Sequence, residues 1–223
     1  MQSEGPFGER SVLLRYLMLF LLTLAVLVPG IAQLPPIDRD EARYIQATKQ
    51  MVQTGDYIDI RFQEAPRYKK PIGIYWLQSI SVALTGQGED APVWAYRMVS
   101  VIGMALSVVA LYWVGQGLFG PTIGLIAALM LAGMFGAGFE GRLAKTDSVL
   151  LLLSIITQGC LARIYVSRRN GDAAAPSLTW YFWIAQGAAI LIKGPITPLL
   201  SLLTIVFLLL FDKNRDRKWL LDL

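Results

Sequence analysis

The sequence predicts an all-α membrane protein, a bundle of several spanning helices, and three observations carry that prediction. Hydrophobic residues make up 55% of the 223 and charged residues only 16%, against roughly a quarter charged in a soluble domain. Several apolar runs approach the ~20 residues that cross a hydrocarbon core of roughly 30 Å. Basic residues mark the short inner segments as the positive-inside tendency wants, although the first outer loop, near the length at which that tendency loses force, is also rich in Lys and Arg.

The balance of charge is +4, with a pI near 9.2 and a mean hydropathy of +0.50. In so apolar a chain this fits an anionic membrane surface or a phosphate-bearing lipid, not nucleic acid. Histidine is absent, which removes the commonest imidazole metal ligand and any histidine-based triad. No carboxylate spacing suggests a metal, so neither a metal nor another cofactor is expected. The one cysteine, Cys160, excludes an internal disulfide framework and falls mid-span, where it packs as a small apolar residue.

Span one covers about residues 11–33, with Arg10 and Arg15 placing the N-terminus in the cytoplasm. The run exceeds a usual signal-peptide core of roughly 7–15 residues, so a retained span is favoured over a cleaved signal. Pro35-Pro36 then stops the helix, since proline supplies no amide donor. A long outer loop, 36–95, follows. In it Asp38 can cap a helix whose third residue is Glu41, a capping-box arrangement. Ile45, Thr48 and Val52 recur at helical spacing up to Gly55, which predicts an amphipathic helix on the membrane surface. Residues 56–70 read as polar and irregular. Pro71 suits a first helical position, and Ile72, Trp76, Ile80 and Ala83 form a second apolar face.

Span two, about 96–117, returns inward, and a glycine and proline turn separates it from span three, about 122–139. A short outer loop, 140–147, leads to span four at about 148–166, with Asp147 in an N-cap-like place and Arg168-Arg169 inside. Span five, about 180–192, ends at Lys193-Gly194-Pro195 outside. Span six, about 197–211, ends in a basic cytoplasmic stretch, 212–218. No repeat divides the chain, and residues 1–223 read as a single membrane domain.

Four polar groups therefore share one face: Asp40-Glu41, Lys69-Lys70, Arg142 to Asp147, and Lys193. Acids and cations converging at a membrane interface can bind an anionic head group, stabilise charge developing on it, and take a proton from an incoming hydroxyl. Each group also has a plain structural reading. Asp40 and Glu41 suit a helix N-terminus, Lys69, Lys70 and Lys193 suit lipid anchors, Arg142 and Lys145 can snorkel, and Asp147 can cap span four. A membrane module that binds or moves polyprenyl-phosphate lipids without catalysis is the rival to an enzyme.

Asp40-Glu41-Ala42-Arg43-Tyr44 after the first span, followed by Lys70-Pro71-Ile72-Gly73-Ile74-Tyr75-Trp76, resembles the polyprenyl-phosphate-sugar-dependent glycosyltransferases. These form the family 39/83 group of the GT-C superfamily, with protein O-mannosyltransferases and aminoarabinose transferases among them. Arg142 with Asp147, and Lys193-Gly194, are similar to that group's pattern too. The resemblance implies a GT-C helical bundle in the bacterial inner membrane with its site facing the periplasm. It implies a polyprenyl-phosphate-linked sugar donor, a lipid or protein acceptor, and surrounding membrane lipids as partners. Carried over, Asp40 is the general base with Glu41 supporting it, and Asp147 is the second acid. Lys70 binds the donor phosphate, Arg142 and Lys193 contact donor or acceptor, and Arg43 and Tyr44 shape the pocket. The chain departs from the resemblance at Lys69-Lys70-Pro71, where aminoarabinose transferases resemble Glu-Lys-Pro, so Lys69 puts a cation in place of a carboxylate sometimes placed at a metal. Family members are roughly twice as long, so the chain is expected to be the N-terminal part of a longer enzyme. With Asp40→Cys and Asp147→Cys, an impermeant thiol reagent is expected to label both from the same compartment; opposite sidedness leaves no shared site.

Overall fold

The structure, a computed structural model, describes residues 6–212 and 217–223, with side chains from residue 12 onward. The Arg10 side chain and most of the basic stretch 212–218 lie outside the described residues. Helix α1 (Pro6–Leu27) opens the chain. It stops six residues before the expected end because Pro29 lacks an amide and disfavours helical backbone before it, and Gly30 turns at φ +89°. Single-bonded turns fill the gap up to Gln33.

Helix α2 (Arg39–Thr54) starts where the capping pattern puts it. Asp38 accepts the Asp40 amide at 2.7 Å, while Glu41 reaches back to the Ile37 amide at 3.1 Å, one residue beyond the usual box partner. Gly55 ends it in the left-handed conformation, φ +70°, its amide on the Met51 carbonyl. The buried face is Tyr44, Ala47, Thr48 and Met51. Of the expected face only Thr48 is fully buried, and Ile45 and Val52 flank it against Val82, Ala95 and Tyr96.

Within the stretch expected to be irregular, β1 (Arg61–Phe62) and β2 (Ala65–Pro66) pair antiparallel as a short ribbon. Gln50 ties it to α2, accepting the Gln63 amide at 2.7 Å and donating to its carbonyl at 2.9 Å. Helix α3 (Gly73–Ala83) turns Trp76 and Ile80 of the expected apolar face outward. Tyr75, Gln78, Ser79 and Val82 are buried, whereas Trp76 and Ile80 are exposed. The reason is the solvent: a lipid-facing surface tolerates apolar side chains, and it is the polar ones that need protein partners. Gln78 finds two, accepting from the Thr48 hydroxyl at 2.7 Å and donating to the Ala144 carbonyl at 3.3 Å.

The remaining helices occupy the expected span positions: α4 (Val93–Phe119), α5 (Pro121–Gly133) with α6 (Phe135–Glu140), α7 (Asp147–Arg169), α8 (Pro176–Lys193) and α9 (Ile196–Phe211). Among the described residues, α4 and α7 are long and apolar enough to cross a membrane, and α5, α9 and the Val12–Leu27 part of α1 are shorter apolar helices. With 27 residues, α4 runs about 40 Å at 1.5 Å per residue and forms the spine against which α1, α5 and α7 pack. A Cβ on Gly115 of α4 would lie 2.7 Å from the Gly124 Cα of α5, so only glycine permits that crossing. The third expected span is broken at Met134, whose extended backbone (ψ +124°) separates α5 from α6.

One ion pair holds these parts in register. Glu41 has no exposed surface and Arg97, in the first turns of α4, has 2%. Their carboxylate and guanidinium meet at 2.8 and 3.2 Å. Arg97 also donates to the carbonyls of Ile31, Leu34 and Pro35 at 2.7 to 3.0 Å, groups released where α1 ends early. Glu41 further accepts the Ala144 amide at 3.0 Å. Removing one partner of such a pair leaves the other charge buried, at a cost of about 3–5 kcal/mol. Arg97→Met is therefore expected to lower the melting temperature of the purified protein in nanodiscs sharply, and adding Glu41→Gln to cost much less than Glu41→Gln alone.

Candidate membrane-surface site

Four segments meet at one end of the bundle: the start of α2, the start of α3, the link 141–146, and the end of α8. A Cβ on Gly73 would lie 2.7 Å from the Leu191 carbonyl, so the glycine lets α3 abut the last turn of α8. Tyr44, Met51, Ile74, Tyr75, Val149 and Ile192 pack as one apolar cluster below. The polar groups stand on that floor.

Asp40 is 53% exposed and pairs with Arg43 at 3.3 Å. Asp147 sits inside the first turn of α7 and does not cap it; the N-cap is Thr146, which makes no side-chain capping bond. The Asp147 carboxylate instead accepts from the Lys193 ammonium at 2.5 Å, joining α7 to α8. Lys145 bridges Asp38 at 2.6 Å and Glu140 at 3.5 Å. Lys70 is half-buried and forms no ion pair among the described residues. Tyr44 is buried, its ring 5.6 Å from that of Tyr75.

Two expected members lie apart from this group. Glu41 turns into the interior toward Arg97, so its support of Asp40 runs through the backbone of α2. Arg142 donates to the carbonyls of Val26 at 2.6 Å and Gly138 at 2.9 Å. It faces an apolar cavity of about 420 Å³ between α1 and the α5–α6 break, lined by Val26, Met134 and Phe139 among others.

The electrostatics follow the geometry. The hydrogen bond from Lys145, helped by the Asp40 amide, holds the Asp38 carboxyl below the usual carboxylate range. Partial burial works against the Lys145 charge, but its bond to Asp38 and the carboxylates of Glu140 and Asp147 prevail and raise its pKa. Burial pushes the Tyr44 hydroxyl up to about 12, so it stays protonated at neutral pH. Among the described residues no three acidic or thiol side chains gather to hold a metal.

Sequence reasoning missed Arg97, Lys145 as a bridge, and Arg67, whose guanidinium lies over the Tyr44 ring 5.9 Å from its centroid. Arg97 had a legible signal, a single arginine just inside an apolar helix, where an unpaired charge is costly. Nothing in the sequence distinguished Arg67 from the other cations of its loop.

A helical bundle of this topology with its polar groups at one end is the fold of the GT-C membrane glycosyltransferases. The crystal structure of ArnT from Cupriavidus metallidurans in the apo state superposes with a TM-score of 0.72 at 21% identity, over 96% of this chain and 38% of that one. The same protein bound to undecaprenyl phosphate gives 0.69 at 22% identity, over 89% and 35%. Residues 69–222 match the family described as dolichyl-phosphate-mannose-protein mannosyltransferase, and the chain belongs to that glycosyltransferase family. Relatives include undecaprenyl phosphate-alpha-4-amino-4-deoxy-L-arabinose arabinosyl transferases. That of Aeromonas hydrophila is 26% identical over 82% of this chain and 32% of its own length, and transferase 2 of Proteus mirabilis 25% over 80% and 31%. The chain thus spans about a third of the length of these relatives.

The Asp38–Lys145 bridge has a definite pH dependence. Because the folded Asp38 pKa is depressed, its contribution is present above the ordinary carboxylate value of 3.8 and is lost as pH falls through the lower folded value. Lys145→Met is expected to return the Asp38 carboxyl toward 3.8, read by carboxyl NMR of aspartate-labelled protein.

Proposed function

We propose that the protein transfers a sugar from a polyprenyl-phosphate-linked donor to a hydroxyl of a lipid or protein acceptor. The reaction takes place at the extracytoplasmic face of a bacterial inner membrane, with the N-terminus in the cytoplasm. The carrying observation is the contrast between two adjacent acids. Asp40 is more than half exposed and held by a surface pair, while Glu41 is sealed against Arg97. A carboxylate on the rim, fixed at its base by a buried ion pair, is a general base with a rigid mount. Family membership and the likeness to a fold solved with undecaprenyl phosphate support the same reading.

In this mechanism Asp40 takes the proton of the acceptor hydroxyl. The acceptor oxygen bonds to the anomeric carbon, and the bond from that carbon to the phosphate oxygen breaks from the opposite side. Its electron pair leaves on the polyprenyl phosphate, which gains one negative charge. The site therefore needs cations more than a proton donor. Lys70, without an ion-pair partner among the described residues, and Lys193 supply them at the surface, and Arg142 at the mouth of the apolar cavity contacts donor or acceptor. Asp147, the second acid, holds Lys193 in place, and Arg43 and Tyr44 shape the entrance.

Loss of a general base lowers rates by about 10²–10⁴-fold. Asp40→Asn is expected to reduce sugar transfer by that order in a reconstituted assay while binding of undecaprenyl phosphate persists. Unchanged transfer removes Asp40 from this role, and a wild-type protein that binds the lipid without transferring sugar is the non-catalytic module.

A further inference from the structure

The end of the bundle opposite Asp40 carries a cation that sugar transfer does not use. Arg163 lies 16 residues beyond Asp147 on α7, about 24 Å along the helix at 1.5 Å per residue. It stands inside a spanning helix, where a charge is costly unless something meets it. Its guanidinium lies over the Trp113 ring of α4, 4.5 Å from the centroid, and that ring meets Tyr181 of α8 edge-on at 6.5 Å. A Cβ on Gly117 would overlap its Nη2, so the glycine leaves the guanidinium its place. Among the described residues Arg163 forms no hydrogen bond and no ion pair.

Arg163, Trp113 and Tyr181 line a cavity of about 550 Å³ between the ends of α4 and α7 and the start of α8, with the polar side chains of Ser167, Asn170 and Ser177. One carboxylate, Asp172, lines it as well, exposed and without an ion pair to Arg163. Across Leu118 and Val166, which border both, lies a second cavity of about 390 Å³. Its walls on α4, α7 and α9 are mainly apolar, Phe119, Leu161 and Leu208 among them. A polar chamber around a cation, next to an apolar one, has the two-part chemistry of a lipid, head group and chain. Trp180 and Tyr181, both more than half exposed at the start of α8, mark the depth of the membrane–water boundary, where head groups lie.

We propose that Arg163 is the head-group contact of a binding site for an anionic glycerophospholipid, with one acyl chain in the apolar cavity beside it. The lipid belongs to the leaflet at this end of the bundle, the cytoplasmic one in the topology above. The guanidinium, already held by Trp113, presents its N–H donors to the phosphate oxygens in charge-assisted bonds. Basic pockets between spanning helices on the cytoplasmic side recognise such head groups. A snorkelling arginine extends toward water from its own helix, whereas this one crosses to α4. The bound lipid bridges the ends of α4, α7, α8 and α9, far from the sugar-transfer site and independent of it.

The test titrates the full chain in a neutral detergent with three probes: dioleoyl phosphatidylglycerol, the zwitterionic dioleoyl phosphatidylcholine, and glycerol 3-phosphate, which has the phosphate without chains. Native mass spectrometry counts each bound species. The wild type is expected to bind its first phosphatidylglycerol about 5- to 10-fold more tightly than phosphatidylcholine, the effect of one basic side chain on an anionic lipid. Glycerol 3-phosphate should bind far more weakly than either lipid. Arg163→Met keeps the length of the side chain and removes its charge, and should abolish the preference for phosphatidylglycerol. Gly117→Ala keeps the charge and displaces the guanidinium, and should reduce the preference; Arg163→Lys should retain part of it. Equal binding of phosphatidylglycerol by wild type, Arg163→Met and Gly117→Ala overturns the proposal. So does Arg163-dependent binding of glycerol 3-phosphate as tight as that of the lipid, which makes the site one for a soluble phosphate. If Arg163→Met does not fold by its melting curve, Gly117→Ala decides alone.

Discussion

The buried pair of Glu41 and Arg97 is the constraint on which this arrangement depends. A carboxylate and a guanidinium out of water are stable only when every remaining donor and acceptor is also met, and here they are. Three carbonyls beyond α1, the Ile37 amide and the Ala144 amide all converge on the two side chains. The pair thereby fixes the end of one helix, the start of a second, the outer turns of a third and the link before a fourth. Asp40 inherits a defined position because its neighbour in sequence has no freedom.

The acids at this end of the bundle divide their work by burial. Glu41 is structural in its contacts, Asp38 and Glu140 are drawn onto Lys145, and Asp147 is drawn onto Lys193. Among the described residues the Asp40 carboxylate has Arg43 as its one ion-pair partner, at the surface. Exposed pairs of that kind contribute little, so its carboxylate is available to a substrate. The cations divide similarly, with Arg97 fully used inside and Lys70 and Arg67 unmatched by carboxylates among the described residues.

Much of the fold was legible because the signals were local. Asp38 as a cap, Gly55 as a stop and the apolar runs all depend on a few neighbouring residues, and a helix lies over each of the expected runs. The end of α1 was misplaced because Pro35-Pro36 drew attention past Pro29-Gly30, which breaks the helix first. The shared side of Asp40, Lys70, Asp147 and Lys193 could be read from span counting. The partner of each could not, since Glu41 with Arg97 and Asp147 with Lys193 join residues 56 and 46 positions apart.

The same ion pair also governs the order in which the chain can be built. Glu41 emerges just after α1 of the nascent protein, and Arg97 arrives only with the long helix α4. Until then neither charge has a dry place to go, because lipid accepts neither alone. The short surface helix must wait in water, loosely held, until α4 docks.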